Sequence, residues 1–223
     1  MPYSIAIDGP AGAGKSTIAR MTAEKLGYIY VDTGAMYRAM ALFLIRNNIA
    51  ADDNEAVSRE CRNADISIEY RDGEQVVLLG GQNVNPYLRT GEVSNMASVS
   101  STNADVRVKL VELQRKLAEK ANVVMDGRDI GTVVLPHAQC KIYLTASVAV
   151  RAKRRFDEII EKGGEADIET ISREIEERDY RDMNRANSPL KQADDAVYLD
   201  TSDLTIDEVT EKIMDIAKQK GIL

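Results

Sequence analysis

The stretch Tyr3-Ser-Ile-Ala-Ile-Asp-Gly-Pro-Ala-Gly-Ala-Gly-Lys-Ser-Thr17 decides the fold. It opens with an apolar run, passes Asp8, and continues through Gly9, Pro10, Ala11, Gly12, Ala13, Gly14, Lys15, Ser16 and Thr17. From Gly9 onward the residues match G-x-x-x-x-G-K-[ST], the signature of a strand–loop–helix turn that cradles phosphate. Glycine lets the backbone curl so that successive N–H groups point inward at an anion. In this pattern Lys15 reaches the β- and γ-phosphates of a nucleotide, and the Ser16 hydroxyl holds Mg²⁺. A helix beginning near Lys15 adds its positive dipole end to the same site. An ATP-type ligand and Mg²⁺ are therefore expected.

Working outward, the 223 residues suffice for one α/β domain, or a core with a smaller insert. An apolar fraction of 44 % and a charged fraction of 29 % suit a globular chain. The formal charge of −7 argues against a broad nucleic-acid surface, though a local arginine cluster remains compatible with it. Cys61 and Cys140 are far apart in regular segments and are expected as buried thiols. No apolar run approaches the length of a membrane span. The first residues enter a core strand directly, so no leader peptide, and a cytoplasmic location, are expected.

Short apolar strands alternate with helical periods, the pattern of a mostly parallel sheet covered by helices. Core strands are predicted at Ser4–Ile7, Ile29–Val31, Val123–Met125, Lys141–Leu144 and Val197–Leu199. Val106, Leu110, Leu113 and Leu117 mark one apolar helical face. Ile206, Val209, Ile213 and Ile216 mark another, after Thr205 as N-cap with Glu208 following. Two regions break the rhythm. Ile66–Tyr70 and Val76–Leu79, joined across Asp72-Gly73, read as an inserted hairpin within a small piece spanning about 63–90. Arg151 to Arg185 is charged, mainly helical and interrupted at Gly163-Gly164. With few long apolar side chains it is expected to pack loosely, as a lid does.

Arg178, Arg181 and Arg185 share one helical face in that second region, with Asp179 and Asp182 between them to orient guanidinium groups or bind an ion. Fixed arginine forks stabilise the charge that spreads over a phosphoryl group in transfer. Arg151, Lys153, Arg154 and Arg155 begin the preceding helix, and for Arg151, Lys153 and Arg155 a solvated surface role competes evenly with a functional one. Asp126, Arg128 and Asp129 follow a buried strand, at the sheet edge where α/β proteins bind ligands. Asp32-Thr-Gly-Ala-Met-Tyr-Arg38 occupies the same kind of position after the second strand. There Thr33 can cap the next helix, Arg38 can meet a phosphate, and Tyr37 can pack nearby. His137, alone in a loop, is read as structural, and no zinc set is expected.

With these residues in view, the chain resembles the nucleoside monophosphate kinases, and among them the bacterial cytidylate kinases, over essentially its whole length. The resemblance rests on Gly9–Thr17, Asp32–Arg38, Asp126-Gly-Arg-Asp-Ile-Gly-Thr132, Glu177-Arg-Asp-Tyr-Arg-Asp-Met-Asn-Arg185 and Ser188-Pro-Leu190. It implies a P-loop core (1–62, 91–150 and 186–223), an inserted β-containing monophosphate-binding piece (63–90) and an arginine-bearing lid (151–185). The implied reaction moves the ATP γ-phosphoryl group to CMP or dCMP. The resemblance further implies that Thr33, Arg38, Ser98, Arg107, Arg128, Asp129, Arg178, Asp182 and Arg185 bind CMP. Among these, Arg38 takes the acceptor phosphate, Ser98, Arg107, Arg128 and Asp129 take the base and its phosphate side, and Asp182 takes a sugar hydroxyl. Lys15, Arg128, Arg178, Arg181 and Arg185 are the expected catalytic set. Neither nucleic acid nor membrane is an expected partner, and a monomer is expected.

Base chemistry fits cytosine. An arginine fork facing N3 and O2, with Asp129 and a serine accepting from N4, leaves polar groups unpaired against uracil. Two alternatives stay open on the sequence alone: a kinase for UMP, dTMP or AMP, and a nucleotide-gated module without turnover. The absence of an N-K-x-D element weakens a GTPase version of the latter.

Overall fold

The computed structural model describes residues 2–222. In chain order its elements are β1 (Ser4–Asp8), α1 (Lys15–Leu26), β2 (Ile29–Asp32), α2 (Thr33–Arg46), α3 (Asn54–Glu60), β3 (Ile66–Arg71), β4 (Glu74–Leu79) and β5 (Gln82–Asn83). There follow α4 (Gly91–Ser100), α5 (Ala104–Lys120), β6 (Val123–Gly127), a π turn (Ile130–Val134), β7 (Cys140–Thr145), α6 (Val148–Glu161), α7 (Ile168–Asn184), β8 (Val197–Asp200) and α8 (Ile206–Gln219). The chain divides into two compact units. One is Ile29–Val123; the other joins Tyr3–Tyr28 to the residues from Val124 onward.

In the second unit the strands lie in the order β6-β1-β7-β8. β1 pairs with β7 in parallel, Ile5 opposite Cys140 and Asp8 opposite Tyr143, and β7 pairs with β8 in parallel. Every residue of β1 is buried, as expected for a strand covered on both faces. Parallel pairing brings the C-terminal ends of these strands to one edge, from which the phosphate loop departs. α8 starts from a capping box: the Thr205 hydroxyl takes the Glu208 N–H and the Glu208 carboxylate takes the Thr205 N–H. Its apolar face differs from the expected one at its first position. Val209 and Ile213 are buried, whereas Ile206 is 50 % exposed, because it sits in the opening turn ahead of the packed stripe.

The α6–α7 pair also differs from expectation. Ala152, Ile171 and Ile175 are buried together, with Val148, Phe156, Ile159 and Ala166 against them. Residues 148, 152, 156 and 159 recur at helical spacing, so a narrow apolar stripe exists beneath the surrounding charge. The charged composition of the stretch hides it.

In the first unit β3, β4 and β5 form an antiparallel sheet, with Ile66 opposite Leu79 and Arg71 opposite Glu74. Asp72 and Gly73 have φ of 53° and 80°, the geometry of the two-residue turn whose twist matches a hairpin. β4 lies against β2 and α2, and α2 packs on α4 and α5. Cys61 and Cys140 are both buried thiols.

Candidate active site

The loop from Gly9 to Gly14 leaves β1 and enters α1 at Lys15. Gly9 has φ of 151°, and a Cβ there would lie 1.9 Å from the Leu144 carbonyl oxygen, so only glycine lets the loop pass this close to β7. Lys15 is buried, and its Nζ donates to the Pro10 carbonyl of its own loop at 2.6 Å. Burial pushes its pKa well below the ordinary lysine value. Arg128 and Arg178 push it further, against Asp126 and Asp182. Lys15, the residues after β6 and those of α7 thus share one electrostatic environment within the second unit. Ser16 Oγ donates to Asp126 Oδ2 at 3.0 Å.

Arg128 Nε donates to Asp182 Oδ2 at 2.8 Å, and its NH1 to the Gly127 carbonyl at 3.3 Å. Burial alone raises the Asp182 pKa, but Arg128, Arg178 and Arg185 overcome it and hold the carboxyl below the usual aspartate value. Arg185 caps the end of α7. Its Nε donates to the Ser188 carbonyl at 2.7 Å, and its NH2 lies 3.8 Å from Asp129 Oδ1. The Ser188-Pro-Leu190 segment closes the same helix end, Leu190 N–H donating to the Asp182 carbonyl at 2.8 Å. Arg178 is half-buried, and Arg181 is exposed. The structure therefore brings Lys15, Ser16, Asp126, Arg128, Asp129, Arg178, Asp182 and Arg185 into one neighbourhood and leaves the Arg181 side chain facing solvent.

Among the residues proposed for the acceptor, Thr33, Arg38, Ser98 and Arg107 belong to the first unit. Thr33 is buried at the first position of α2, but it is not the cap. Asp32 is, accepting from Ala35 N–H at 2.8 Å, since its longer side chain reaches the amide from one residue earlier. Arg38 NH1 lies 3.9 Å from Asp32 Oδ1. Arg107, buried on α5, donates to the Ser101 carbonyl at 3.5 Å and stands 5.7 Å from the Tyr37 ring centroid, a cation–π contact. Ser98 lies on α4, half-buried. His137 is exposed in its loop.

A family model described as Cytidylate kinase matches residues 5–219. A cytidylate kinase of Lactobacillus johnsonii is 52 % identical over 97 % of this chain and 94 % of its own length. The chain belongs to the cytidylate kinase family. A second cytidylate kinase, from Caldicellulosiruptor saccharolyticus, is 50 % identical over 96 % of the chain and 94 % of its own length. Among solved structures, a gluconokinase from Sinorhizobium meliloti aligns with a TM-score of 0.52 at 14 % identity, covering 99 % of this chain and 94 % of its own. That likeness speaks for the fold alone.

Several residues of this cytidylate kinase family member escape motif reading. Arg151 is buried with all three guanidinium nitrogens engaged: Nε to the Ala146 carbonyl at 2.8 Å, NH1 to the Ala11 carbonyl at 2.9 Å, and NH2 to Asp179 Oδ2 at 2.6 Å. It ties the phosphate loop to α7 and belongs to the interior, unlike exposed Lys153 and Arg155. Arg154 holds Thr201 through both its hydroxyl and its carbonyl, at 3.3 and 2.7 Å. Gln75 on β4 takes the Asp32 N–H at 2.9 Å and gives its own N–H to the Asp32 carbonyl at 3.1 Å, extending the hairpin onto the strand end. No local pattern announces such pairs. The sole clue in the sequence is that an arginine at the start of a helix, or a glutamine inside an apolar strand, needs a partner.

Among the described residues no group of three or more His, Cys, Asp and Glu could hold a metal ion. The hard oxygens of Ser16 and Asp126 suit a Mg²⁺ that takes most of its ligands from phosphates and water.

Proposed function

We propose that this protein transfers the γ-phosphoryl group of ATP to CMP or dCMP, giving ADP and CDP or dCDP, as part of pyrimidine nucleotide metabolism. The observation that carries the reading is the 52 % identity to a cytidylate kinase along nearly the whole chain. The geometry of the second unit supports the chemistry. Gly9 to Thr17 hold the ATP phosphates, and Lys15 exchanges its bond to the Pro10 carbonyl for the β- and γ-phosphates. Ser16 contributes a hydroxyl oxygen to Mg²⁺. When bound with the nucleotide, that ion supplies neutralisation of charge across the β- and γ-phosphates.

CMP is assigned to the residues that the family resemblance names: Thr33, Arg38, Ser98, Arg107, Arg128, Asp129, Arg178, Asp182 and Arg185. An oxygen of the CMP phosphate forms the new bond to the γ-phosphorus as the bond to the β–γ bridging oxygen breaks, and ADP leaves. The attacking phosphate is already anionic near neutral pH, so the chain needs no nucleophile and no strong general base. Its contribution is positioning and electrostatics. Arg128, Arg178 and Arg185 carry the charge stabilisation, with the segment 151–185 as the lid that excludes water, 63–90 as the monophosphate-binding insert, and the remainder as the core. The protein acts as a monomer in the cytoplasm on small nucleotides, without nucleic-acid or membrane partners. Among the described residues no helix is long and apolar enough to cross a membrane. Coupled detection of ADP formed with CMP against UMP tests the reading: a strong preference for CMP supports it, and equal rates overturn it.

A further inference from the structure

Asp8 precedes the phosphate loop and lies outside the motif, yet it is a buried carboxylate with a specific task. Its Oδ1 accepts the Ile130 N–H and its Oδ2 the Gly131 N–H, each at 2.7 Å, across more than half of the sequence. These two amides open the π turn, directly after Arg128 and Asp129. The turn's own bonds run from Val134 N–H to the Asp129 carbonyl and from Leu135 N–H to the Ile130 carbonyl, at 3.2 and 2.7 Å. A helical turn cannot satisfy its leading N–H groups, and here one carboxylate satisfies both.

The turn is also confined from its far side. A Cβ at Gly131 would lie 3.2 Å from Lys141 Cδ and 3.3 Å from Asp8 Oδ2. Lys141 Nζ in turn donates to the Pro136 carbonyl at 2.6 Å, just beyond the turn. The clamp is costly where it stands. Burial raises the Asp8 pKa to about 6 even though both amides act to lower it, and Asp129 adds repulsion. An anion at the foot of a phosphate loop also works against the ligand. A neutral side chain of the same size offers only one acceptor where two amides must be met.

We propose that Asp8 is a positioning residue for base selection: by clamping the first two amides of the π turn it fixes the backbone from which Arg128 and Asp129 project, and so sets the preference for cytosine over uracil. This rests on the reading of Arg128 and Asp129 as residues that contact the acceptor base. Asp8 itself touches no substrate in this scheme; it works through the turn.

The test uses the full chain carrying Asp8→Asn, and separately Gly131→Ala, which crowds the turn while leaving the carboxylate intact. Steady-state kcat and KM are measured with CMP and UMP at saturating Mg-ATP, with amide hydrogen exchange at Ile130 and Gly131 followed by NMR. In Asp8→Asn the Gly131 amide faces an NH₂ group and exchanges faster. In both variants the ratio of kcat/KM for CMP over UMP falls roughly tenfold, while KM for ATP shifts less. A folded variant that loses both substrates by the same factor, or that keeps the wild-type exchange rates, overturns the proposal. General loss of stability would give that uniform fall. Wild-type protein without a preference for CMP overturns the functional reading itself, and the selectivity role with it, before any variant is compared.

Discussion

The surroundings of Lys15 and those of Asp32 are built from different forces. Around Lys15 the second unit uses buried charge pairs between distant residues: Arg128 with Asp182 and Arg151 with Asp179. Around Asp32 the first unit relies mainly on neutral hydrogen bonds to backbone, with Gln75 on both backbone polar groups of Asp32 and the Tyr70 hydroxyl on the Tyr30 carbonyl at 3.1 Å, beside a longer, partly exposed Arg38–Asp32 pair at 3.9 Å. Buried charges demand partners at nearly fixed geometry, so they suit groups that must be in place when charge moves. Neutral bonds to backbone tolerate small shifts, which suits a region that adjusts to an acceptor. The comparison therefore predicts steep losses in the first region and graded ones in the second.

The steepest is Lys15→Ala. Phosphoryl transfer should fall by on the order of 10³-fold or more while CMP binding by calorimetry stays within a few-fold. Equal losses of both would assign Lys15 a structural role. Next is Asp179→Ala, which strands Arg151 in the interior. Urea unfolding should show a loss of about 3–5 kcal/mol, far above what an exposed pair such as Lys116–Glu112 yields. A loss below about 1 kcal/mol would mean the Arg151 site relaxes or hydrates.

The two buried aspartates should respond to pH with opposite sign. The Asp182 pKa is depressed in the folded protein, so its stabilisation is present above the unfolded aspartate value and disappears as pH falls through the folded one. The Asp8 pKa is raised from 3.8 to about 6, so the folded state favours its protonated form, and stability is lost as pH climbs from about 4 to above 6. That loss is roughly 3 kcal/mol. The difference in unfolding free energy between Asp8→Asn and wild type should grow across this window in favour of the variant; a difference independent of pH would contradict the burial of the Asp8 charge. The smallest effect belongs to Gln75→Ala: about 1 kcal/mol of stability and a few-fold rise in KM for CMP, with KM for ATP unchanged. A large loss there would erase the contrast between the two regions.

The same contrast explains what could be read in the sequence. The five core strands begin and end within two residues of the predicted bounds, because apolar runs between turn residues are local signals. The phosphate loop, the hairpin at Asp72-Gly73 and the Thr205 cap are local too. β5, only Gln82–Asn83, has no apolar period to betray it and exists by pairing with β4. Thr33 is a candidate cap in the sequence, yet Asp32 takes that role: both residues carry a suitable oxygen, and only backbone geometry separates them. Asp8 and Gln75 carry no signal, and Arg151 only an even choice between a surface and a functional role, because each meets partners far away in the chain and spacing carries no information about such a meeting. Asp179 and Asp182 were legible as partners for arginines from their place on one helix, but the identities of those arginines, Arg151 and Arg128, were not.

The most direct measurement is an ATP-dependent phosphorylation screen of CMP, dCMP, UMP, dTMP, AMP and GMP in the presence of Mg²⁺, reading ADP and the matching diphosphate together. The account predicts CDP and dCDP as the dominant products, with UMP far behind and the purines inert. Comparable rates across all acceptors, or ADP accumulating without any diphosphate, would contradict it.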